Sequence, residues 1–301
     1  MSAILMDGRE LSARLMPELK RYAQDLRQRH VNPPVLGAIL AGDNPASVQY
    51  VRNKRRLAEE LGFKTEILTL KAAEATTDRL LAEIDRFNRD PRITGILLQL
   101  PLPPEVDQFR LFDAIAPEKD VDAVGAPSIS GFYRGEWGSF IPCTPRGVLE
   151  LLNFYRVPVE GMKATVIGRS DIAGKPMAVI LGGRLCNATV TWCHRHTRDL
   201  ESICREADLL VPCAGAELPD RQFLITAEMV KPGACVIDVG FRRIGPGRFG
   251  GDVDLEGVSK VAKWLTPNPG GTGPMTVVAL MQNLIDAARY QLGLERASYS
   301  V

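Results

Sequence analysis

Histidine is scarce, with only three in the chain (His30, His194 and His196), and H-E-x-x-H does not occur. The six cysteines, at 143, 186, 193, 204, 213 and 235, never form C-x-x-C. This pattern excludes the usual transition-metal sites and a disulfide framework, and it predicts reduced thiols in the cytosol. No run of about 18 apolar residues is present to span a bilayer. The first residues, M-S-A-I-L-M-D-G-R-E-L, lack the basic stretch and apolar core of a secretory signal. Net charge is missing as well, since 37 Lys plus Arg stand against 36 Asp plus Glu. With no general field to draw in nucleic acid or an anionic membrane, neither is expected as a partner, and any anionic ligand must be held by local groups.

What is present is an ordinary globular composition, 45% hydrophobic and 24% charged, over 301 residues. That length is too great for one ordinary core and predicts two lobes. Val35–Leu40, Thr65–Leu70 and Ile93–Leu100 read as strands, the last apolar on both faces as a parallel strand should be. Pro45–Leu61 and Asp78–Asn88 read as the helices between them. Asn44 is the expected N-cap of the first, Pro45 its first helical residue and Gly62 its stop. This is a βαβαβ unit. Residues 125–142, rich in Gly, Ser and aromatics, predict a short hairpin or an irregular crossing. Thr144 is then expected to cap a helix over Pro145–Tyr155 that links the lobes. A second βα series follows, with strands at 164–168, 188–193, 207–213 and 234–240 and helices near 175–185, 198–206 and 225–230. The segment after Pro274 reads as a long amphipathic helix able to fold back on the first lobe. The expected division is 1–143, completed by 275–301, and 144–274.

The first strand of the second series runs into G-R-S-D-I-A-G-K-P (168–176), where a Rossmann phosphate loop belongs. Small residues let the backbone approach a pyrophosphate, and the helix start supplies N–H donors. The loop is not G-x-G-x-x-G, because Ser170 and Ala173 stand at glycine positions. It is not a P-loop, because five residues rather than four separate Gly168 from Gly174 and Pro176 replaces the Ser/Thr. On spacing alone it could equally be a tight turn with no ligand. An NAD site places a carboxylate about 20 residues further on. Here the chain reads C-H-R-H-T (193–197), with Arg195 and two histidines. Those groups, with Arg169 from the loop, favour the 2′-phosphate of NADP.

In the first lobe, A-G-D-N-P-A-S-V-Q-Y-V-R-N-K (41–54) directly follows a strand. Ser47, Tyr50 and Lys54 share one helical face, which begins at the carboxyl end of a parallel strand, where open α/β sheets bind ligands. A partly buried lysine there can work as acid or base, and a tyrosine ring can stack on a heterocycle. Followed by Arg55 and Arg56, the same lysine could simply be solvated. Gln99 ends the third strand and can hydrogen-bond Lys54 or a substrate. Asp122 offers a carboxylate for paired N–H donors, with Asp120 as its competitor.

Together these residues resemble the methylenetetrahydrofolate dehydrogenase/cyclohydrolase family. The matching segments are GDNPASVQYVRNK (42–54), GILLQLPLP (95–103), PEKDVDAVG (117–125), PCTPRGV (142–148), GRSDIAGKP (168–176), VIDVGF (236–241), GDVD (251–254) and TPNPGGTGPMT (266–276). The resemblance implies an N-terminal α/β catalytic domain, a Rossmann-like NADP-binding domain and a C-terminal helix returning to the first lobe. It implies two reactions, oxidation of 5,10-methylenetetrahydrofolate by NADP and hydrolysis of the methenyl product to 10-formyltetrahydrofolate. Lys54 would be the central acid/base group, tuned by Gln99. Tyr50 would orient the folate and Asp122 bind the pterin, with Ser47, Gly270, Gly273 and Pro274 also on the substrate. Gly168, Arg169, Ser170, Gly174, Arg195 and Phe241 would hold the cofactor. The loop Pro267–Pro274 would close over the substrate, and the family resemblance implies a homodimer joined through the nucleotide lobe.

The sequence departs from the family pattern in three places. Asn268 and Thr272 stand where valine is common, the segment AGAELPDRQF (214–223) is longer than usual by about four residues, and Arg195 replaces a serine of some relatives. Two other readings compete. Another two-lobed NADP enzyme, of shikimate or amino-acid dehydrogenase type, explains residues 164–240 but not the N-P-A-S-x-x-Y-V-x-x-K run. A non-catalytic folate or nucleotide binder would be expected to have lost part of the set Tyr50, Lys54, Gln99 and Asp122.

Overall fold

The structure, a computed structural model, describes residues 2–29, 33–134, 140–215, 222–245 and 248–298. The chain forms two compact units. One comprises Leu15–Cys143 and Val277–Ser300, the other the residues up to Arg14 together with Thr144–Thr276. The two units divide between Cys143 and Thr144, and residues 1–14 group with the second unit. The reason is backbone pairing: Ile4–Leu5 forms a strand parallel to Trp264–Leu265 and extends that unit's sheet.

In the first unit, Val35–Ala41 lies between Lys64–Leu70 and Gly95–Gln99, all parallel. Helices Pro45–Glu60 and Thr77–Arg89 make the crossovers. The first starts as the sequence predicts, with Ser47 N–H donating to Asn44 Oδ1 at 3.4 Å, and the chain leaves it through Gly62 at φ +73°. Thr76 caps the second, its hydroxyl accepting from Arg79 N–H at 3.2 Å. Every residue of Gly95–Gln99 is buried, as expected of a central parallel strand. Among the described residues of 125–142 there is no hairpin. Ala126–Arg134 is a helix, started by Asp120, whose carboxylate collects the N–H groups of Val124 and Gly125. Residues 135–139 lie outside the described residues.

The C-terminal helix, Thr272–Gln291, begins inside the Gly-rich loop, so Pro274 sits in its first turn, where a missing N–H costs little. Its later residues pack in the first unit. Asn283 Nδ2 donates to the carbonyls of Val121 (2.8 Å) and Ile141 (2.9 Å), and a Cβ at Gly95 would strike Val121 and Leu284. Helix Gly8–Arg29 was not expected, although Leu11, Leu15, Leu19 and Leu26 recur at near-helical spacing and are all buried.

The second unit carries a parallel sheet. Its order is Thr189–Cys193, Lys163–Ile167, Leu209–Pro212, Cys235–Val236, Trp264–Leu265 and Ile4–Leu5. Three expectations shift. Helix Cys143–Phe154 includes Thr144 rather than being capped by it; the stretch near 225–230 is only a short turn at Ala227–Met229; and the strand expected to reach 240 stops at Val236. A short antiparallel pair, Arg242–Gly245 with Arg248–Gly250, was not foreseen. No described helix is long and apolar enough to cross a membrane.

Lys119 shows how the first unit closes a helix end. Its Nζ donates to the carbonyls of Phe87 (3.1 Å), Asn88 (2.8 Å) and Asp90 (2.8 Å) at the end of Thr77–Arg89. These are carbonyls that a terminating helix leaves unpaired. Lys119→Met keeps the stem but removes all three bonds. It should cost about 3 kcal/mol, read as a lower urea midpoint, and an unchanged midpoint would show that water serves these carbonyls equally well.

Candidate active site

The first-unit residues converge on the end of strand Gly95–Gln99. Lys54 is 8% exposed, and its Nζ donates to Gln99 Oε1 at 3.0 Å. The orientation of the amide is set by a second bond, because Gln99 Nε2 donates to Leu100 O at 2.6 Å. With the NH2 group committed there, the carbonyl oxygen must face the lysine. Leu100 O also accepts from the hydroxyl of buried Ser47 at 3.1 Å. The helix face predicted from spacing therefore docks against the strand end at Ser47 and Lys54. Tyr50 lies half-buried between them in sequence, and burial raises its phenol above the usual value, leaving a neutral hydroxyl near pH 7.

The structure separates the two candidate aspartates. Ile96 pairs with Asp120 in a parallel bridge, so Asp122 follows two residues further toward the end that carries Gln99. Asp120 is fully buried, and its Oδ2 accepts from Val124 (3.0 Å) and Gly125 (2.9 Å), which makes it a backbone organiser. Asp122 is only half-buried. Asn283 and the Cys143 thiol both bind Val121 O, the carbonyl immediately before it.

In the second unit, Thr189–Cys193 lies on one side of Lys163–Ile167 and Leu209–Pro212 on the other. This reversal is the switch point where open α/β sheets receive ligands. The loop there has no room for larger side chains: a Cβ at Gly168 would come within 2.6 Å of Cys213 O, and one at Gly174 within 2.4 Å of Gly168 O. The Ser170 hydroxyl accepts from Gly174 N–H at 3.2 Å, closing the turn into helix Gly174–Gly182. Ile167 and Cys193 are register partners, so Arg169 and Arg195, each two residues on, leave neighbouring strand ends. Both are exposed, and Arg195 Nε donates to His196 Nε2 at 3.1 Å. The backbone cradle and the clustered cations fit a dinucleotide with a phosphate on its ribose. Phe241 is exposed and stacks on Phe249 at 4.8 Å, while its carbonyl lies 2.9 Å from where a Cβ on Gly215 would be. Gly270 is buried at φ +120°, Gly273 is exposed and Pro274 half-buried. Residues 216–221 of the longer segment lie outside the described residues.

Two buried acids beside this crevice had no role assigned from the sequence. Asp238 Oδ1 accepts from Gly240 (3.0 Å) and Asp252 N–H (3.1 Å), and its Oδ2 from Val253 N–H (3.2 Å). Asp252 Oδ2 accepts from Ala214 (2.9 Å) and Gly215 (3.1 Å). Burial, reinforced by Asp252, pushes Asp238 up to about 7 despite three supporting N–H groups, and burial also raises Asp252. The available signal was the pair of motifs VIDVGF and GDVD, each with an acid between small or apolar residues.

Fold and site together define a two-unit α/β protein with a dinucleotide-type crevice and a buried lysine–amide pair. Two family models match it: the tetrahydrofolate dehydrogenase/cyclohydrolase catalytic domain over residues 6–122, and the NAD(P)-binding domain of the same family over 142–292. The bifunctional protein FolD of Burkholderia thailandensis is 47% identical over 291 residues, covering 96% of this chain and 98% of its own. The bifunctional FolD dehydrogenase/cyclohydrolase of Campylobacter jejuni superposes with a TM-score of 0.89 at 40% identity, covering 96% of this chain and 100% of its own. The Trypanosoma brucei dehydrogenase-cyclohydrolase, solved with NADP and an inhibitor, gives 0.90 at 34% identity, with 97% and 99% covered. The chain belongs to the tetrahydrofolate dehydrogenase/cyclohydrolase family.

Asp120 gives a pH prediction. Burial, its largest influence, holds the carboxyl near 6, with the nearby Asp122 charge adding to the shift. An unfolded Asp ionises near 4, so the folded state keeps the proton longer. Stability should therefore fall as pH rises from about 4 to about 6. Asp120→Asn should shrink the difference in unfolding free energy between pH 4 and 6.5 by about 2–3 kcal/mol, measured by urea titration at both pH values. An undiminished difference would place the titration elsewhere.

Proposed function

We propose that the protein oxidises 5,10-methylenetetrahydrofolate to the 5,10-methenyl cation with NADP and then hydrolyses that cation to 10-formyltetrahydrofolate. The observation that carries the reading is the buried Lys54 amine held 3.0 Å from Gln99 in a chain of this family. NADP, when bound, supplies the hydride acceptor. The protein's own groups do the rest. Tyr50 and Asp122 orient the pterin, the tyrosine by stacking and the carboxylate by accepting paired N–H donors. In hydrolysis water adds to the electrophilic methenyl carbon and gives up a proton. The ring then opens as the carbon–nitrogen bond breaks, the ring nitrogen taking a proton and the new hydroxyl releasing one to become the formyl oxygen. One proton is released in total, and Lys54 is the group placed to relay these transfers. Ser47, Gly270, Gly273 and Pro274 complete the folate contacts in this reading. Gly168, Arg169, Ser170, Gly174, Arg195 and Phe241 hold the cofactor.

All six cysteines are buried free thiols, the state a reducing compartment maintains, which supports a cytosolic site of action. Thr189–Cys193 is an edge strand with exposed Trp192, and Leu185 nearby in sequence is exposed too. These support a homodimer joined through the nucleotide unit, testable by analytical ultracentrifugation.

Lys54→Met should abolish cyclohydrolase activity, with an unchanged circular dichroism spectrum. Full hydrolysis of methenyl-folate by this variant would remove Lys54 from the mechanism. For the cofactor, steady-state kinetics should give a higher kcat/KM with NADP than with NAD. Arg195→Ser should raise the KM for NADP by about tenfold, the loss of one exposed charge-assisted contact, with little change for NAD. A higher specificity for NAD in the unsubstituted enzyme would overturn the preference.

A further inference from the structure

The two departures in the Gly-rich loop turn toward the same piece of backbone. Asn268 Nδ2 donates to Gly240 O at 2.6 Å, and Thr272 Oγ1 donates to Asp238 O at 3.1 Å. Valine, common at both positions in the family, has no donor and can make neither bond. The 238–240 segment also donates back, from Asp238 N–H to Thr266 Oγ1 at 2.7 Å. Thr272 is 9% exposed, and Asp238 2%. In such surroundings each lost bond leaves an unpaired carbonyl.

The loop is also held on another side. Gly8 N–H donates to Gly270 O at 3.0 Å, and a Cβ on Gly8 would lie 1.8 Å from Gly271 O. The 238–240 segment in turn is bound to the nucleotide crevice. Asp238 binds the Asp252 N–H, and Asp252 binds the N–H groups of Ala214 and Gly215, just past strand Leu209–Pro212. A continuous hydrogen-bonded path thus runs from the crevice, through two buried carboxylates, to the Gly-rich loop, and its last two links are the two residues that depart from the family pattern.

We infer that Asn268 and Thr272 are positioning residues through which NADP at the crevice sets the Gly-rich loop for folate, so that each ligand tightens the other. The inference rests on the proposed function, which places Gly270, Gly273 and Pro274 on the folate. In physical terms, a nucleotide that fixes 214–215 and 238–241 also fixes the loop bound to them, and the folate no longer bears the cost of ordering it. Because linkage is reciprocal, folate must tighten NADP by the same factor.

The test measures tetrahydrofolate binding by calorimetry under anaerobic conditions, with and without saturating NADP. Lacking the one-carbon group, tetrahydrofolate binds without turnover. It is paired with hydrogen exchange of the loop amides over residues 268–273. In the unsubstituted protein NADP should tighten tetrahydrofolate by about tenfold, within the usual range for coupled sites, and slow exchange in the loop. In N268V/T272V the ratio should fall to about one and the protection should vanish, while T272S, which keeps the hydroxyl, should retain both. A double variant with full coupling overturns the inference. So does an unsubstituted protein whose loop exchange ignores NADP, whether or not the variants fold. A protein that binds neither ligand and turns over no methylene-folate would instead sink the proposed function.

Discussion

The placement of one ammonium group out of water governs the chemistry of the first unit. An unsupported buried charge is costly, and Lys54 is supported by an oxygen whose direction is itself fixed. Gln99 can face the lysine with its carbonyl only because its NH2 is taken by Leu100 O. Leu100 O also holds Ser47, about two turns back along the helix that carries Lys54. Helix and strand end are therefore tied at two points. The amine gains a neutral acceptor rather than a carboxylate partner, which would have locked it into an ion pair.

The second unit uses buried acids for a different purpose. Asp238 and Asp252 gather five backbone N–H groups from three segments that do not share a strand. Irregular backbone cannot satisfy itself as a sheet does, and a buried carboxylate is the densest acceptor a side chain offers. The strand from Cys235 stops at Val236. Beyond it, Ile237 and Val239 N–H still donate to Leu210 O and Pro212 O on one side, while on the other Asp238 N–H turns to Thr266 Oγ1 and Gly240 N–H to the Asp238 carboxylate. The same arrangement explains why Gly251 and Gly240 are glycines, since a Cβ on either would run into an aspartate.

The parallel strands and their crossover helices were legible because they depend on local pattern: apolar runs of strand length, Asn44–Pro45 at a helix start and Gly62 at its end. Ser47, Lys54 and Gln99 were legible because helical spacing and a strand end place them with little help from tertiary structure, and the structure brings them together. Other features depend on partners distant in sequence and were not legible. Ile4–Leu5 becomes a strand only because Trp264–Leu265 is there to pair with it. Residues 126–134 become a helix because Asp120 collects the N–H groups before it, whereas their Gly and Ser content suggests a turn. Asp238 and Asp252 look unremarkable singly, since their role appears only when 214, 240 and 252 are neighbours in space.

The C-terminal helix has a consequence for how the molecule is made. The first unit is encoded in two pieces, and the second piece emerges after the entire nucleotide unit. Until Asn283 and Leu284 have left the ribosome, the carbonyls of Val121 and Ile141 lack the Asn283 amide, and the face of the sheet at Gly95 is without Leu284. The nucleotide unit's sheet lacks nothing beyond Leu265. The first unit, most of which is made before the bulk of the nucleotide unit, is therefore the one completed last. During that interval its apolar surface is what a chaperone would meet on the nascent chain.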